Sequence, residues 1–371
     1  MAVKSPPRIV TKRWTLQRGD VRKDIPDFAS DKFDGVICDP PYGLGFMGNS
    51  WDKSVPSTDV WAELWRVCKP GASLLAFGGP RTIHRLACNI EDAGWPIRDK
   101  VYWLHGQGFP KSHDIGKALK KHGHESGGWE GYGTALKPAA EEVIWAMKPI
   151  EGSFATNVHR YGCGGLNING CRIGDSGGTK RSHQSPYSKK PDGSEDRTDW
   201  ARTGHSVETI NKGRWPSNVI VDEFAAKVLD QQSGRSKSRS GKCGITKSNV
   251  GNGKTMNPFR GRSTNVQGYD DEGGASRFFY VSKANANERK GNDHPTVKPL
   301  ALCEYLSRLI LPPERETMRR LLVPFSGSGS EMLGGLMAGW DHVTGIEMDD
   351  HFFDIAQMRL SKYWKDHKMR A

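Results

Sequence analysis

The stretch FDGVICDPPYG, residues 33–43, joins an apolar run to a carboxylate, a rigid Pro-Pro turn and an aromatic ring. The apolar run predicts a buried strand that ends at Asp39. Near the other end of the chain, LLVPFSGSGS at residues 321–330 has a similar form, a short apolar run followed by a Gly/Ser loop. At ordinary residue usage, DPPY occurs by chance in about one chain in several hundred of this length. The two stretches therefore mark the candidate functional site.

Strands and helices alternate around both stretches. Before residue 150 the sequence predicts strands at 33–38, 72–77, 101–104 and 143–147 and helices at 59–69 and 82–93, the first helix being ended by Pro70-Gly71. After residue 276 it predicts strands at 277–282, 321–323 and 343–346 and helices at 299–311, 331–338 and 351–360. This alternation is typical of a parallel α/β sheet with helices on its faces.

The middle of the chain has a different composition, rich in Gly, Ser, Asn, Lys and Arg. Between Gln231 and Tyr269 there are eight Lys or Arg residues and no Asp or Glu. Such a run is either a solvated flexible loop or an element that follows a nucleic-acid backbone, and the two interpretations are compatible. We therefore expect three parts: two halves of an α/β domain at 1–150 and 276–371, and a loop-rich insertion at 151–275.

The overall composition argues against several classes of protein. The 12 tryptophans and 36% hydrophobic content support a packed core, and the net charge is +12. Seven cysteines, an odd number without a CxxC pair, favour reduced thiols over a disulfide framework or a zinc site. The sequence has no run of 18 apolar residues and no apolar signal core, so we expect a soluble, cytoplasmic protein without a membrane partner.

The Gly/Ser loop matches neither of two common phosphate-binding motifs. A dinucleotide-binding fingerprint would need a third glycine at position 332, which holds Met332. A P-loop would need Gly at 248, before the Gly-Lys-Thr at 253–255, but the residue there is Ser248. What remains is a tight turn whose backbone can touch a ligand and a helix N-terminus that offers free amides to a carboxylate. Glu347, at the end of the next predicted strand, can accept hydrogen bonds from two ribose hydroxyls.

With RGDV at 18–21, HPTVKP at 294–299 and GIEMDDHFFDIA at 345–356, the two stretches resemble an S-adenosylmethionine-dependent DNA amino-methyltransferase of the permuted (β) order. The resemblance covers residues 14–150 and 276–359. It implies a Rossmann-like, seven-stranded methyltransferase sheet, circularly permuted so that the cofactor half comes last, with a target-recognition insertion. It also implies double-stranded DNA as the partner, S-adenosylmethionine as the cofactor without a metal, a homodimer, and a place in restriction-modification.

The resemblance gives the catalytic roles to DPPY. Asp39 and the carbonyl of Pro40 would accept hydrogen bonds from the amino group of the target base, Pro41 would stiffen the turn, and Tyr42 would stack on the flipped base. An aromatic amino nitrogen is a poor nucleophile because its lone pair is delocalised into the ring. Two in-plane acceptors localise that pair and aim it at the methyl carbon, so geometry and electrostatics provide most of the acceleration.

The cofactor would lie in a pocket formed by both ends of the chain. In the resemblance, Glu347 would hold the ribose, Lys298 and Thr296 the methionine carboxylate, and Asp20 would lie near the adenine. The full set of cofactor-binding candidates is Asp20, Asp39, His294, Thr296, Lys298, Pro324, Phe325, Ser326, Gly327, Ser328, Gly329, Ser330 and Glu347.

One position departs from the family pattern. The family usually has an Asp immediately before PF, and this chain has Val323. A carboxylate expected near the methionine end is therefore missing. Either Ser326, Ser328 or Glu331 compensates for it, or the affinity for the cofactor is low.

The insertion at 151–275 is the candidate for target recognition. A duplex hides the amino nitrogen of a base, so the base must rotate out at a cost of a few kcal/mol. Phe46 and Trp51, in the loop after DPPY, are candidates to fill the vacated stack. The complete set of DNA-binding candidates is Phe46, Trp51, Arg214, Arg235, Lys237, Arg239, Lys254, Arg260 and Arg262.

The identity of the target base stays open at this point. In the family, DPPY occurs mostly with adenine and SPPY with cytosine, so Asp39 favours the adenine amino nitrogen. Amino methylation of cytosine by the same machinery is the nearest alternative. A catalytically weak DNA-binding regulator, which Val323 makes conceivable, and an RNA or protein substrate are the others.

Overall fold

The structure is a computed structural model that describes residues 8–45, 50–106, 108, 110, 112–175, 179–182, 206–209, 212–237, 241–243, 264–266, 271–283, 288, 291–294 and 296–368. The chain divides into two compact units. The first contains Met1–Cys171, Ser217–Lys227 and Phe279–Ala371, and the second contains Arg172–Pro216 and Val228–Phe278. Within the expected insertion at 151–275, residues 151–171 and 217–227 thus belong to the first unit.

The secondary structure alternates along most of the described chain. The strands are β1 (Arg8–Val10), β2 (Trp14–Arg18), β3 (Phe33–Cys38), β4 (Cys68–Gly78), β5 (Ile97–Leu104), β6 (Ala140–Met147), β7 (Thr179–Ser182), β8 (Ser206–Thr209), β9 (Val219–Asp222), β10 (Ser236–Lys237), β11 (Gly241–Cys243), β12 (Thr264–Val266), β13 (Glu272–Gly273), β14 (Tyr280–Ser282), β15 (Arg320–Val323) and β16 (His342–Glu347). The α-helices are α1 (Val21–Asp24), α2 (Thr58–Val67), α3 (Ile83–Asp92), α4 (Ile115–Lys121), α5 (Phe154–Tyr161), α6 (Glu223–Ser233), α7 (Leu300–Leu309), α8 (Ser330–Ala338) and α9 (Asp350–Lys368).

The first unit is built on a mostly parallel sheet with the order β1-β2-β16-β15-β3-β4-β6-β5-β9-β14. The seven central strands, from β2 to β5, are parallel except for β6, which is antiparallel to both neighbours. The predicted parallel α/β, Rossmann-like fold is therefore confirmed. The sheet extends beyond seven strands, with β1 at one edge and β9 and β14 at the other.

The register of β3 and β15 brings the two decisive stretches of sequence together. Leu321 pairs with Gly35 and Leu322 with Val36 in a parallel ladder. All six residues of β3 are buried, as expected for a central strand that helices cover on both faces. Because the carboxyl ends of parallel strands meet at one edge of a sheet, the loops that follow β3 and β15 lie side by side.

The Pro70-Gly71 dipeptide lies inside a strand, whereas the sequence predicted that it ends a helix. Helix α2 already ends at Val67, and β4 runs from Cys68 through the dipeptide to Gly78. Gly71 takes a positive φ of 82° and its N–H donates to the carbonyl of Lys148 at 3.0 Å. The dipeptide therefore shapes the start of a strand that is still hydrogen-bonded to its neighbour.

Other predicted boundaries also differ from the structure: β5 begins at Ile97 instead of 101, and β6 begins at Ala140 instead of 143. The predicted strand at 277–282 shortens to β14, because Ala275–Phe278 form a 3-10 turn in which Arg277 donates to the carbonyls of Gly273 and Gly274. Helix α9 continues to Lys368, beyond the predicted end at 360, since residues 361–368 include no Pro or Gly. In the part of the chain that the structure describes, no helix combines the length and the apolar character that crossing a bilayer requires.

Candidate functional site

A cleft of about 670 Å³ opens at the carboxyl edge of the sheet in the first unit. Its walls come from the loops after β3, β15 and β16, the start of α1 and the segment before α7. Of the sequence-predicted site residues, those that line this cleft are Asp20, Asp39, Pro40, Pro41, Tyr42, Trp51, His294, Thr296, Lys298, Pro324, Phe325, Ser326, Gly327, Ser328, Ser330 and Glu347. DPPY and the Gly/Ser loop thus face one cavity.

Asp39 is the centre of a hydrogen-bonded cluster. Its Oδ2 accepts a hydrogen bond from Lys298 Nζ at 2.6 Å, and its Oδ1 accepts one from the Tyr42 hydroxyl at 2.7 Å. Lys298 also forms an ion pair with Glu141 of β6, with Nζ 3.3 Å from Oε2. Each partner comes from a different element, so the Asp39 carboxylate is fixed in position.

The charges in this cluster compensate one another inside the protein. The Lys298 side chain is only 4% exposed. Burial works to lower the pKa of Lys298, but Asp39 and Glu141 together raise it well above its usual value. Burial and the neighbouring Asp39 carboxylate also raise the pKa of Tyr42 well above its usual value. Lys298 is therefore a cation and Tyr42 a neutral hydrogen-bond donor at physiological pH.

The loop after DPPY is held by Asp52, a residue that the sequence analysis did not single out. Asp52 is 2% exposed, and its carboxylate accepts hydrogen bonds from the N–H groups of Gly43 at 2.9 Å and Leu44 at 3.3 Å. Its carbonyl accepts another from the N–H of Gly45 at 2.7 Å. Asp52 therefore closes the loop that begins at Tyr42.

The Gly/Ser loop makes a tight turn directly before α8. Gly327 has φ +46° and Gly329 has φ +83°, values that suit glycine. A Cβ on Gly327 would lie 3.1 Å from His294 Nε2, so the backbone approaches the wall of the cleft closely. The Ser326 hydroxyl is buried and has no hydrogen-bond partner among the described residues. Arg359 of α9 donates to the hydroxyls of Ser328 and Ser330, which fixes the turn from outside.

Glu347 lies at the end of β16, beside this turn. Burial raises the pKa of its carboxyl group to about 6, while hydrogen bonds from the backbone of Asp349 and Gly327 act in the opposite direction. Its carbonyl accepts the N–H of Gly19 at 2.8 Å, which places the RGDV segment next to it. Asp20 caps α1 through the N–H of Arg22 and forms an ion pair with the Arg22 side chain.

His294 and Thr296 line the cleft, and the His294 ring lies next to Gly327 of the Gly/Ser loop. The His294 ring contacts Phe352 edge to face, with centroids 4.4 Å apart, and burial lowers the pKa of His294. The N–H of Thr296 donates to His294 Nδ1 at 3.3 Å. This part of the wall therefore combines a neutral imidazole with an aromatic ring.

The DNA-binding candidates fall into four groups. Trp51 is 38% exposed and lies at the cleft, whereas the side chains of Arg235 and Lys237 are exposed in the second unit. Arg214 is largely buried in that unit, where it and Arg277 both bind the carboxylate of Asp271. Five candidates lie outside the described residues: Phe46, Arg239, Lys254, Arg260 and Arg262.

The chain is similar to known proteins along most of its length. The N6_N4_Mtase family model, described as DNA methylase, matches residues 33–358. The chain belongs to this family of DNA methylases. A curated relative, the type II methyltransferase M.HindIII of Haemophilus influenzae, is 27% identical over 135 residues, which are 33% of this methylase and 44% of the relative. The match thus spans less than half the length of that relative.

The methylase is also similar to solved structures of DNA methyltransferases. The M1.HpyAVI–SAM complex is 16% identical, with 93% of this chain and 99% of that chain covered at a TM-score of 0.41. The cytosine-N4-specific PvuII DNA methyltransferase is 12% identical, with 96% and 89% covered at a TM-score of 0.46. With TM-scores below 0.5, these likenesses add nothing to the family assignment.

Three carboxylates of the methylase site were not identified as site residues from the sequence: Asp52, Glu141 and Glu331. Asp52 and Glu141 have no motif of their own, and only the folded chain brings them to Asp39 or its loop. Glu331 follows the Gly/Ser loop directly and was noted only as one of three candidates to compensate for Val323. It is 4% exposed and lines the cleft.

Proposed function

We propose that this DNA methylase transfers a methyl group from S-adenosylmethionine to the exocyclic amino nitrogen of adenine in double-stranded DNA. The chain order, with DPPY before the Gly/Ser loop, is that of the permuted class. The observation that supports the proposal best is that Asp39, the Gly/Ser loop and Glu347 line one cleft. A nucleoside cofactor and a flat base can thus meet at Asp39.

The residues of the cleft fit S-adenosylmethionine. Gly327 leaves part of the backbone wall of the cleft without a Cβ, and the Ser326 hydroxyl there has no partner among the described residues. Glu347 lies at the end of β16, where a carboxylate can accept hydrogen bonds from both hydroxyls of a ribose. When bound, the cofactor supplies an electrophilic methyl group on a positively charged sulfur.

Asp39 activates the amino nitrogen in this mechanism. A carboxylate has about four acceptor sites, and Lys298 and Tyr42 occupy one on each oxygen. Asp39 therefore has sites left for an N–H of the base, and the carbonyl of Pro40 accepts the other N–H. These two acceptors localise the nitrogen lone pair. Asp39 would also stabilise the positive charge that develops on the nitrogen, and one of its oxygens would accept the proton that the methylated nitrogen releases.

The surrounding residues position these groups. Lys298 and Tyr42 keep Asp39 in one orientation before any ligand binds, so little reorganisation accompanies the reaction. The Tyr42 ring is available to pack on a base that has left the duplex, and Trp51 lies at the same cleft. Extrusion of the base costs a few kcal/mol, which contacts from the expected target-recognition region at 151–275 would have to offset.

A methyl-transfer assay tests the proposed function. We would incubate the protein with tritiated S-adenosylmethionine and two kinds of duplex, one that contains adenine but no cytosine and one that contains cytosine but no adenine. The modified nucleoside would then be identified by mass spectrometry. N6-methyladenine supports the proposal, and N4-methylcytosine would replace it with cytosine methylation. Transfer to RNA or protein that plasmid DNA does not inhibit would contradict a DNA substrate.

Binding measurements separate the enzyme from a silent regulator. Calorimetry with S-adenosylmethionine in the presence of DNA should show saturable binding, whereas a regulator that has lost the cofactor site would show none. The family resemblance also leads us to propose a homodimer. Its mass in solution, from light scattering on a size-exclusion column, should be twice that of the chain.

A further inference from the structure

Glu331 is a buried carboxyl group that the proposed reaction does not use. It is the second residue of α8, lines the cleft and is 4% exposed. Among the described residues it takes part in no ion pair within 4.0 Å; Lys298 is paired with Asp39 and Glu141 instead. Arg359 donates to serines 328 and 330. A buried carboxylate without an ion-pair partner is unfavourable unless a cation binds to it.

The groups around Glu331 come from four elements. Burial, followed by repulsion from Asp39, raises the pKa of Glu331 to about 7, although Lys298 and Arg359 act in the opposite direction. The thiols of Cys38 on β3 and Cys303 on α7 also face it. The position at the N-terminus of α8 favours a negative charge. Glu331 can therefore bind a positively charged ligand group near neutral pH.

The family pattern predicts a carboxylate near the methionine end of the cofactor. Position 323, where the family usually has an Asp, holds a fully buried Val323 in the hydrophobic core. Ser326 and Ser328 also line this end of the cleft, but their hydroxyls are neutral. The Ser328 hydroxyl already accepts hydrogen bonds from Asn292 and Arg359. Of the three candidates Ser326, Ser328 and Glu331, Glu331 is the one that offers a negative charge in place of the missing one.

We propose that Glu331 binds the α-ammonium group of the cofactor's methionine moiety and replaces the carboxylate that Val323 cannot provide. This inference rests on the proposed function, because it assumes that the cleft binds S-adenosylmethionine. It defines the ligand class more narrowly as a nucleoside sulfonium or thioether that carries a free α-amino group. A nucleoside without the amino acid gains nothing from Glu331.

Calorimetry with two nucleosides tests the assignment. S-Adenosylhomocysteine carries the α-ammonium group, whereas 5′-methylthioadenosine shares the adenosine and sulfur but lacks the amino acid. Glu331→Gln should weaken S-adenosylhomocysteine binding about 10- to 100-fold, as expected for loss of a charged hydrogen bond. It should change 5′-methylthioadenosine binding by less than about twofold. Glu347→Gln is the matched control and should weaken both nucleosides equally, since both contain the ribose.

The outcomes separate this inference from the proposed function. If the wild-type protein binds neither nucleoside, the proposed function is wrong and the inference falls with it. If the wild type binds S-adenosylhomocysteine and Glu331→Gln binds it equally well, only the role of Glu331 is overturned.

A pH profile of the wild-type protein provides a second test that does not depend on the variant folding. Loss of the proton from Glu331 should raise the ratio of S-adenosylhomocysteine affinity to 5′-methylthioadenosine affinity between pH 6 and pH 8. Titration of Glu347 affects both nucleosides and cancels in this ratio. A ratio that does not change over this range would contradict the inference.

Discussion

The Nζ atom of Lys298 lies 2.6 Å from Oδ2 of Asp39, although the two residues are 259 positions apart in the sequence. The contact connects the end of β3 to the segment before α7. The family resemblance had implied that Lys298 holds the methionine carboxylate, whereas here it binds the residue that would activate the target base. A buried cation therefore sets the orientation of Asp39. Whether Lys298 acts on Asp39 or on the methionine carboxylate can be measured.

Asp39→Asn should abolish methyl transfer without removing the DNA interface. Asparagine is nearly isosteric, but it has lost the negative charge that stabilises the developing positive charge on the nitrogen. We expect the rate constant kcat to fall by about 100-fold or more, with DNA affinity within a few-fold of wild type in a fluorescence-anisotropy titration. Equal activity in the variant would rule out the mechanism.

Lys298→Met should lower kcat rather than the affinity for the cofactor. The change leaves Asp39 and Glu141 close together without their shared cation, so Asp39 loses its fixed orientation. We expect kcat to fall by about tenfold or more, while the Kd of S-adenosylhomocysteine stays within about threefold. The opposite pattern, an unchanged kcat with weak binding of S-adenosylhomocysteine, would support the predicted contact of Lys298 with the methionine carboxylate.

Glu331→Gln should remove a pH dependence of stability. The pKa of Glu331 is about 7 in the folded protein and 4.5 in the unfolded chain. The folded state therefore binds more protons between these values, and the buried carboxyl lowers the stability of the wild type as pH rises from about 4.5 to 7. The stability of the variant relative to wild type should rise over this window, by on the order of 2 kcal/mol, and stay level above it.

Urea denaturation at pH 5 and pH 8, without cofactor, measures this change. All other groups titrate in both proteins, so the difference between the two free energies of unfolding isolates residue 331. A difference that is the same at both pH values would show that Glu331 does not titrate in this range.

Asp52→Ala should loosen the loop that follows DPPY. The substitution removes the carboxylate that accepts hydrogen bonds from the N–H groups of Gly43 and Leu44, which costs about 1–3 kcal/mol of stability. Because Tyr42 is the neighbour of Gly43, we also expect kcat to fall. Asp59→Ala, an exposed position in the first turn of α2, is the matched control and should change stability by less than about 0.5 kcal/mol. Similar thermal melting and activity of the two variants would contradict the role of Asp52.

Arg214 and Arg235 should respond differently to alanine substitution. The Arg214 side chain is 12% exposed and bound to Asp271, whereas that of Arg235 is 76% exposed. Arg214→Ala should destabilise the second unit, by up to about 3–5 kcal/mol for a broken buried pair. Arg235→Ala should leave stability unchanged and weaken DNA binding, with a smaller slope of log affinity against log salt. A loss of DNA affinity for Arg214→Ala without loss of stability would restore Arg214 as a DNA contact.

The local patterns of the sequence predicted the sheet and the position of the cleft. The apolar runs that form β3, β15 and β16 are short and bounded by turn residues. Their period and length are therefore enough to predict strands. The DPPY and Gly/Ser stretches follow two of these strands directly, and parallel pairing then brings them to one edge. Glu347 was predicted by the same reasoning, because it ends the next strand.

The remaining parts of the site depend on contacts between distant residues. Glu141 reaches Lys298 only because β6 inserts antiparallel between β4 and β5. Arg214 was chosen for its charge, but the position of Asp271 in the folded second unit makes it an ion-pair partner. Pro70-Gly71 was interpreted as a helix end because both residues disfavour helices, yet hydrogen bonding to the neighbouring Lys148 continues the strand. No local pattern specifies such partners.

The pairing of β3 with β15 has a consequence for synthesis on the ribosome. Val36 leaves the ribosome long before Leu322, its partner in the ladder, has been made. At ordinary elongation rates the interval is roughly 15–60 s, during which one edge of β3 has no strand beside it. Unpaired edges promote association between chains, so this edge of β3 stays open to such association until β15 has been translated.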